Sequence, residues 1–230
     1  MNQLQKFGDA SVSSRAVPLA AWPVRQSPWS ATAKRIFDVT LALALLVVIA
    51  PLLLVIAVLV SLDGGPVLYR HSRVGRGITP FDCLKFRTMI VDADHCLTEY
   101  LGHHPKASDE WARDQKLMFD PRITPIGKVL RRTSFDELPQ IFNVLRGEMS
   151  LVGPRPVTSA ELARYKEHVG AYASVLPGIT GLWQVSGRND VSYQRRVELD
   201  VDYVRRQTLL LDLIILARTP RVILSSTGAR

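Results

Sequence analysis

The hydrophobic positions form one uninterrupted block near the start of the chain. From Val39 to Leu62, "VTLALALLVVIAPLLLVIAVLVSL", none of the 24 residues is charged. A helix of that length, at about 1.5 Å per residue, can cross a hydrocarbon core of about 30 Å. Pro51 lies near the middle and removes one backbone hydrogen bond, which predicts a kink. The pattern therefore predicts a bent helix in contact with a membrane.

Beyond this block the pattern is that of a mixed α and β domain. The runs "GGPVLYRHSRVG" and "FDCLKFRTM" favour β structure and predict two strands or a hairpin. Residues 92–119 have a helical pattern, and "DPRITPIGKVLRRTS" predicts a turn followed by a short helix. The amphipathic stretch from Val191 to Ser225 fits a core helix, the default, or a helix on a membrane surface.

Charge changes the interpretation of the apolar block. Residues 1–35 carry five cations and one acid, and residues 63–90 carry five cations and two acids. Basic flanks prefer the cytoplasmic side of a membrane. A helix that bends at Pro51 and returns to the same side satisfies both flanks, whereas a spanning helix satisfies only one. The residues alone leave both possibilities open.

The overall charge restricts the partners. The net charge is +8 and only 7% of the residues are aromatic. A strongly basic protein favours acidic partners such as nucleic acid, anionic lipid or phosphorylated small molecules. The aromatic residues are not interleaved with the basic ones, so a stacking surface for single-stranded nucleic acid is poorly supported.

Two adjacent acids, Asp136 and Glu137, lie in "SFDELPQ" and are called the acid pair below. Proline is tolerated in the first turn of a helix, so Pro139 favours Asp136 over Ser134 as the N-cap. A carboxylate there caps free N–H groups and contributes about 0.5–2 kcal/mol. Helix capping alone would explain a single pair of acids.

Basic residues in Gly- and Pro-rich motifs give the acid pair a second interpretation. Arg155 lies between two prolines in "LVGPRP", on a stiff loop that suits a guanidinium gripping phosphate. Lys85 and Arg87 are two residues apart and are predicted to share one face of a strand. The candidate phosphate-binding residues are Lys85, Arg87, Arg131, Arg155 and Arg188. As a set they predict a pocket for a polyanion.

A divalent cation would complete such a pocket. Mg²⁺ binds through one or two carboxylates and shares its coordination shell with substrate phosphates, so Asp136 and Glu137 are its candidate ligands. One of the acids could also act as a nucleophile. We expect the helix terminus, the metal and the arginines to favour its charged form.

Five motifs together resemble the bacterial sugar transferases, the small monotopic phosphoglycosyl transferases that initiate polysaccharide assembly. They are "KRIFD", "LKFRTM", "DPRITPIG", "DELPQIFNVLRGEMSLVGPRP" and "PGITGLWQVSGR". The resemblance extends from Lys34 to the C-terminus. The short chain and the stretch "SGRNDVSY" are most similar to the ExoY type, which initiates exopolysaccharide synthesis from UDP-galactose.

The resemblance implies a two-step reaction with Mg²⁺. Asp136 matches the family's nucleophile, which attacks the β-phosphorus of a UDP-sugar and releases UMP. Undecaprenyl phosphate then accepts the hexose-1-phosphate. Glu137 matches the second acid at the metal, and Arg131 and Arg155 match phosphate-contacting positions. Binding roles for Lys85, Arg87 and Arg188 extend this assignment.

The resemblance also implies an architecture at the bacterial inner membrane. It predicts a re-entrant helix-break-helix hairpin over 33–62 and a cytoplasmic catalytic domain over 63–230 with amphipathic interfacial C-terminal helices. The scattered Ser, Pro and Ala of residues 1–32, which have no sustained period, separately predict a flexible tail. The break is predicted at Ala50 and Pro51, although many relatives have Ser at position 50. Relatives also often have Gln where this chain has His71, for which a surface or supporting role is favoured over catalysis.

Several questions stay open at the level of sequence. Galactose is favoured over glucose as the transferred sugar, but no residue decides between them. A peripheral membrane scaffold, a metal-dependent diphosphate hydrolase and a nucleic-acid binder are the alternative functions. Neither the oligomeric state nor the polysaccharide pathway follows from the residues.

Overall fold

The computed structural model of the protein describes residues 31–114, 116–187 and 191–224. Its α-helices in chain order are Ala31–Ser61 (α1), Ala93–His103 (α2), Pro105–Asp114 (α3), Pro125–Thr133 (α4), Gln140–Arg146 (α5), Ser159–Leu162 (α6), Val169–Ser174 (α7), Leu182–Val185 (α8), Tyr193–Arg206 (α9) and Leu209–Leu224 (α10). The strands are Leu68–Val74 (β1), Pro80–Phe86 (β2), Ser150–Val152 (β3) and Gly178–Thr180 (β4). Short 3₁₀ turns occupy Arg76–Ile78, Phe135–Glu137 and Ala163–His168.

The predicted mixed and mainly helical fold is confirmed. The tail predicted over 1–32 lies almost wholly outside the described residues.

The apolar block forms α1, which is the one helix in the described ranges long and apolar enough to cross a membrane. The helix continues through Ala50 and Pro51, so the structure does not show the predicted helix-break-helix. A proline inside a helix removes one hydrogen bond, but its fixed φ is compatible with helical backbone.

One face of α1 packs against the rest of the protein along its whole length. Its members recur every three or four positions, as one helix face requires. They are Lys34, Asp38, Ala42, Leu46, Ile49, Leu53, Ile56 and Val60. The opposite face exposes large apolar side chains: Ile36, Leu43, Val47, Val48, Leu54, Val55, Val58 and Leu59. An apolar surface of this extent marks contact with a membrane or another protein.

Strands β1 and β2 form the predicted antiparallel hairpin, with Tyr69 opposite Lys85 and His71 opposite Cys83. The hairpin is tied to α5 by the side chain of Asn143, which is fully buried. Asn143 accepts a hydrogen bond from the backbone N–H of Leu84 at 2.9 Å and donates one to the carbonyl of Asp82 at 2.7 Å. The hairpin is therefore fixed relative to the segment that follows the acid pair.

The C-terminal helices bring a second apolar surface beside α1. Helix α9 buries Val197, Val201 and Tyr203 in the core, whereas α10 exposes four apolar side chains at its start. Those four are Leu209, Leu210, Leu213 and Ile214. The amphipathic character predicted for this region is confirmed, with α9 in the core and α10 half exposed.

Helices α1 and α10 are joined by a buried group of charges, Lys34 with Asp38 and Asp212, called the Lys34 triad below. The Lys34 ammonium lies 3.0 Å from Asp38 and 2.8 Å from Asp212. Two further donors satisfy the acids. The backbone N–H of Leu151 donates to Asp38 at 3.3 Å, and the Tyr203 hydroxyl donates to Asp212 at 2.8 Å. The triad therefore links α1, β3 and α10.

Candidate active site

The acid pair lies in the 3₁₀ turn Phe135–Glu137, between α4 and α5. Ser134 ends α4 in a left-handed conformation, with φ of 59°, and turns the chain sharply before Asp136. The N–H of Glu137 donates to the Ser134 carbonyl, and Pro139 is the residue that immediately precedes α5. The prediction of Asp136 as N-cap is therefore wrong. The left-handed residue starts a tight turn before the helix, so Pro139 is accommodated without a capping carboxylate.

Lys85 on β2 approaches both acids. Its ammonium lies 2.6 Å from Glu137 and 3.7 Å from Asp136. Burial lowers the pKa of Lys85, but the carboxylates of Glu137 and Asp136 outweigh burial, so the pKa is raised overall. The lysine is therefore a fixed positive charge at the centre of the site.

The surroundings of Asp136 differ from the expectation that they would favour its charged form. Burial raises its pKa to about 6, and the neighbouring Glu137 adds to the rise. Lys85 and Arg131 act in the opposite direction but do not cancel the burial. At pH 7 a carboxyl with this pKa is still mostly ionised, in a ratio of about ten to one. Burial keeps its oxygen poorly solvated, which suits a nucleophile.

Arg131 lies on the last turn of α4, close enough to Asp136 for each charge to affect the other's pKa. Its Nε donates a 2.9 Å hydrogen bond to the Thr88 hydroxyl, which orients the guanidinium. Thr88 is the second residue after β2, so the hairpin positions both Lys85 and Arg131 at the same site.

The position of Arg155 depends on the close approach of the β3 backbone to the β4 backbone. Strands β3 and β4 pair in parallel, and Gly153 donates to the Thr180 carbonyl at 2.9 Å. A Cβ on Gly178 would lie 2.1 Å from the nitrogen of Gly153, so only glycine permits this contact. The charges of Arg155 and Glu137 both act on the pKa of Cys83 on β2, so the two residues influence the same part of the hairpin electrostatically.

Arg87 has a different environment from Lys85, because its guanidinium lies at the end of α1. It pairs with Asp63 and donates to the carbonyls of Val60, Pro66 and Met89 at 2.7–3.0 Å. These contacts occupy the guanidinium with structural partners. A phosphate-binding role for Arg87 stays a prediction, and Arg188 lies outside the described residues.

The structure adds residues that the motifs did not single out. Arg73 pairs with Glu161 at 2.8 Å and lies 3.4 Å from Nδ1 of His71. Glu161 belongs to a capping box with Thr158, and this T-x-x-E spacing was visible in the sequence. Burial and the positive charges of Arg73 and Lys85 lower the pKa of His71, which favours its neutral form. His71 therefore lies as a mostly neutral side chain among the positive charges of Arg73, Lys85 and Arg155.

The donor set near Lys85 is compatible with Mg²⁺. Two adjacent carboxylates already share one cation, the Lys85 ammonium. Within the described residues no group of three or more His, Cys, Asp or Glu side chains could hold a metal by itself. Mg²⁺ commonly uses only one or two protein carboxylates and completes its shell with phosphates and water. Asp136 and Glu137 are therefore the candidate ligands.

Comparison with known proteins identifies the class to which this fold and site belong. The family described as Bacterial sugar transferase matches residues 29–226. The chain belongs to this family, as the five motifs predicted.

Individual relatives are named for exopolysaccharide and lipid-linked sugar transfer. The chain is 50% identical over 203 residues to the exopolysaccharide production protein ExoY of Rhizobium meliloti, covering 88% of this chain and 90% of the relative. It is 50% identical over 196 residues to an undecaprenyl-phosphate galactose phosphotransferase of Salmonella typhimurium, covering 85% of this chain and 41% of the relative. An undecaprenyl-phosphate glucose phosphotransferase of Komagataeibacter xylinus is 41% identical over 208 residues, which is 84% of this chain and 36% of that protein. The chain thus spans about two fifths of the length of the phosphotransferases it matches.

Proposed function

We propose that this protein transfers a hexose-1-phosphate from a UDP-sugar to undecaprenyl phosphate and releases UMP, as the initiating step of exopolysaccharide synthesis. The observation that carries the proposal is the acid pair itself. A buried Asp136 lies beside Glu137, Lys85 and Arg131, in a chain of the bacterial sugar transferase family. This arrangement combines a carboxylate nucleophile with fixed positive charge for phosphate oxygens.

The first half of the reaction forms a covalent intermediate on the protein. A carboxylate oxygen of Asp136 attacks the β-phosphorus of the UDP-sugar. The bond from that phosphorus to the bridging oxygen breaks, and UMP leaves with the electron pair. The sugar phosphate remains on Asp136 as an acyl phosphate. In the second half, an oxygen of undecaprenyl phosphate attacks the same phosphorus and restores the free carboxylate.

The neighbouring residues hold the phosphates and balance their charge. Lys85 and Arg131 lie beside Asp136 and neutralise negative charge that would repel a carboxylate nucleophile. Arg155, on its rigid loop after β3, binds a further phosphate oxygen. Mg²⁺ held by Asp136 and Glu137 would stabilise the charge on the diphosphate. Glu137 both orients Lys85 and contributes the second carboxylate at that position.

The packing of α1 supports a monotopic, re-entrant arrangement at the bacterial inner membrane. Residues near both ends of α1, Lys34 and Val60, are buried against the same domain and are 26 positions apart. That separation corresponds to about 39 Å of helix, more than the roughly 30 Å of a hydrocarbon core. A helix packed against one domain over this length could cross the core only by drawing that domain into the lipid, which supports a position on one side of the membrane. The basic flanks support the cytoplasmic side, where a nucleotide sugar is available.

The names of the relatives favour galactose as the transferred sugar and keep glucose as the alternative. The Salmonella typhimurium relative is named for galactose and the Komagataeibacter xylinus relative for glucose, with 50% and 41% identity to this chain. The two sugars differ at one stereocentre, and no contact among the described residues distinguishes them.

Release of UMP from a panel of UDP-sugars tests the proposal. The full chain, extracted from membranes, is assayed with Mg²⁺ and with or without undecaprenyl phosphate. We expect turnover that requires the lipid, prefers UDP-galactose and falls when Mg²⁺ is chelated. Release of free sugar phosphate without lipid would instead indicate a diphosphate hydrolase. No release of UMP from any donor, by protein shown to be folded, would favour the membrane scaffold.

A further inference from the structure

A second cluster of charged and aromatic side chains lies where the Gly-Pro-Arg-Pro loop meets α8 and α9. Trp183 on α8 is at its centre and is only 7% exposed. The guanidinium of Arg155 lies 5.6 Å from the centroid of the Trp183 ring, and that of Arg196 lies 4.3 Å from it. Arg196 also lies 5.7 Å from the ring of Tyr193. One indole therefore holds two arginines from different parts of the chain.

Neither of these two arginines forms an ion pair among the described residues. No carboxylate there lies within ion-pairing distance of Arg155 or Arg196. Glu161 already pairs with Arg73 at 2.8 Å, and Asp200 accepts a hydrogen bond from Tyr165 at 2.7 Å. Both acids act on Arg196 electrostatically, against the opposing effect of Arg155. The cluster therefore holds two guanidinium groups that are not ion-paired.

The same cluster contains buried hydrogen-bond donors without acceptors. Nε1 of Trp183 and Nε of Arg196 are both inaccessible to solvent and have no hydrogen-bond partner among the described residues. Buried donors are almost always paired in folded proteins because leaving one unpaired is unfavourable. Both arginines are half-buried, so an oxygen-rich anion could bind their exposed N–H groups and balance the two unpaired charges.

We propose that Arg196 binds a phosphate group together with Arg155, and that Trp183 positions both guanidinium groups for it. Planar guanidinium groups bind phosphate oxygens in a fork geometry, and stacking on an aromatic ring restricts their orientation. The charges of Arg155 and of Glu137 both reach Cys83 on the hairpin, which links the cluster electrostatically to the region of the acid pair. The chemical identity of the phosphate rests on the proposed function. It belongs either to the nucleotide, as in UMP, or to the polyprenyl phosphate.

Binding measurements on the full chain in nanodiscs separate these two sources. One arm titrates UMP, and the other titrates undecaprenyl phosphate incorporated in the disc. Arg196→Gln removes the charge and the fork, and we expect it to weaken binding of one of the two ligands by about 10–100-fold. Weaker binding of UMP assigns the arginine pair to the nucleotide, and weaker binding of the lipid phosphate assigns it to the acceptor.

The neighbouring residue on α9 provides a matched control. Arg195 is exposed and pairs with Glu198 at 2.9 Å, outside the cluster. Arg195→Gln removes the same charge from the same helix, and we expect both affinities to stay within about twofold of the wild type. Equal effects of the two substitutions would overturn the proposal, because the loss of affinity would then be explained by the change in net charge alone.

Substitutions of Trp183 test its positioning role. Trp183→Phe keeps an aromatic face for the arginines, whereas Trp183→Leu removes it. We expect the KM to rise in the leucine variant, for the UDP-sugar if the site binds the nucleotide or for undecaprenyl phosphate if it binds the acceptor. The phenylalanine variant should show a smaller rise, and kcat should change little in either. Loss of kcat at unchanged KM would contradict a positioning role. If the leucine variant does not fold, the affinities of Arg196→Gln for UMP and undecaprenyl phosphate alone test the proposed site.

The outcomes also separate this site from the proposed reaction. If ligand binding depends on Arg196 but the protein releases no UMP, the proposed phosphate site is supported and the proposed transferase activity is contradicted. UMP release with unchanged affinities in Arg196→Gln would keep the transferase and reject the site.

Discussion

Two lysines in this protein each lie between two carboxylates, and the two groups differ in burial and in connectivity. In the Lys34 triad the side chains of the acids are 0–1% exposed and that of the lysine is 11% exposed. In the acid pair the side chains of Asp136 and Glu137 are 14% and 41% exposed, and Lys85 is 24% exposed. The triad is sealed inside the protein, whereas the acid pair is accessible to a ligand.

The two groups also differ in the number of structural elements that their acids connect. Asp38 and Asp212 come from different helices and also accept hydrogen bonds from Leu151 and Tyr203. Asp136 and Glu137 are adjacent in one turn and have a single lysine between them. A group that joins three elements stabilises a fold, whereas two adjacent, partly exposed acids beside a lysine are accessible to a metal ion and a phosphorylated substrate. Residue types alone would not separate the two groups, since both are one lysine with two acids.

The largest expected effect is on the accessible group. Asp136→Asn keeps the size of the side chain but removes the nucleophile, so we expect turnover to fall by roughly 1,000-fold or more. UMP release measures the loss, and circular dichroism checks that the variant is folded. Turnover at the wild-type rate would remove Asp136 as the nucleophile.

The matching substitution in the sealed group should act on stability. Asp212→Ala breaks a buried ion pair and leaves the Lys34 ammonium with Asp38 as the remaining acid of the triad, which costs about 3–5 kcal/mol. We expect a lower unfolding temperature in detergent and a near-normal rate per folded molecule. Loss of activity at unchanged stability would contradict this division of roles.

Glu137→Gln tests the second acid of the site. The substitution removes one carboxylate from the candidate metal position and from Lys85, so we expect turnover to fall by about 10–100-fold. The Mg²⁺ concentration that gives half the maximal rate should rise as well. A wild-type rate with unchanged Mg²⁺ dependence would show that Glu137 does not act at the metal.

Arg87→Lys gives the smallest expected effect. It tests whether Arg87 stabilises the fold, as the Lys34 triad does, or binds substrate, as the acid pair is proposed to do. A lysine cannot reproduce the set of bonds to Asp63 and the carbonyls of Val60, Pro66 and Met89. We expect the unfolding temperature to fall by a few degrees with an unchanged KM for the UDP-sugar. A raised KM at unchanged stability would instead assign Arg87 to phosphate binding.

Much of the fold could be predicted from local patterns. The β1–β2 hairpin, the short helix α4 and the amphipathic C-terminal helices follow from apolar periodicity and from Gly and Pro positions. The N-cap prediction failed because Ser134 adopts a left-handed conformation, which non-glycine residues seldom do. Arg73, Glu161, Trp183 and Arg196 were missed because their roles depend on contacts between distant segments.

The sequence by itself determined the family, the apolar helix, the acid pair and the stiff loop around Arg155, because each depends on neighbouring residues or on a contiguous motif. Only the tertiary structure decided which charges act together. It separated Arg87 from Lys85, although the two are two residues apart, and brought Arg155 to Arg196. It also set the pKa of Asp136 at about 6, because burial depends on what packs around a side chain. Charge is a property of a residue, but its consequence depends on its solvent exposure and its partners, which folding decides.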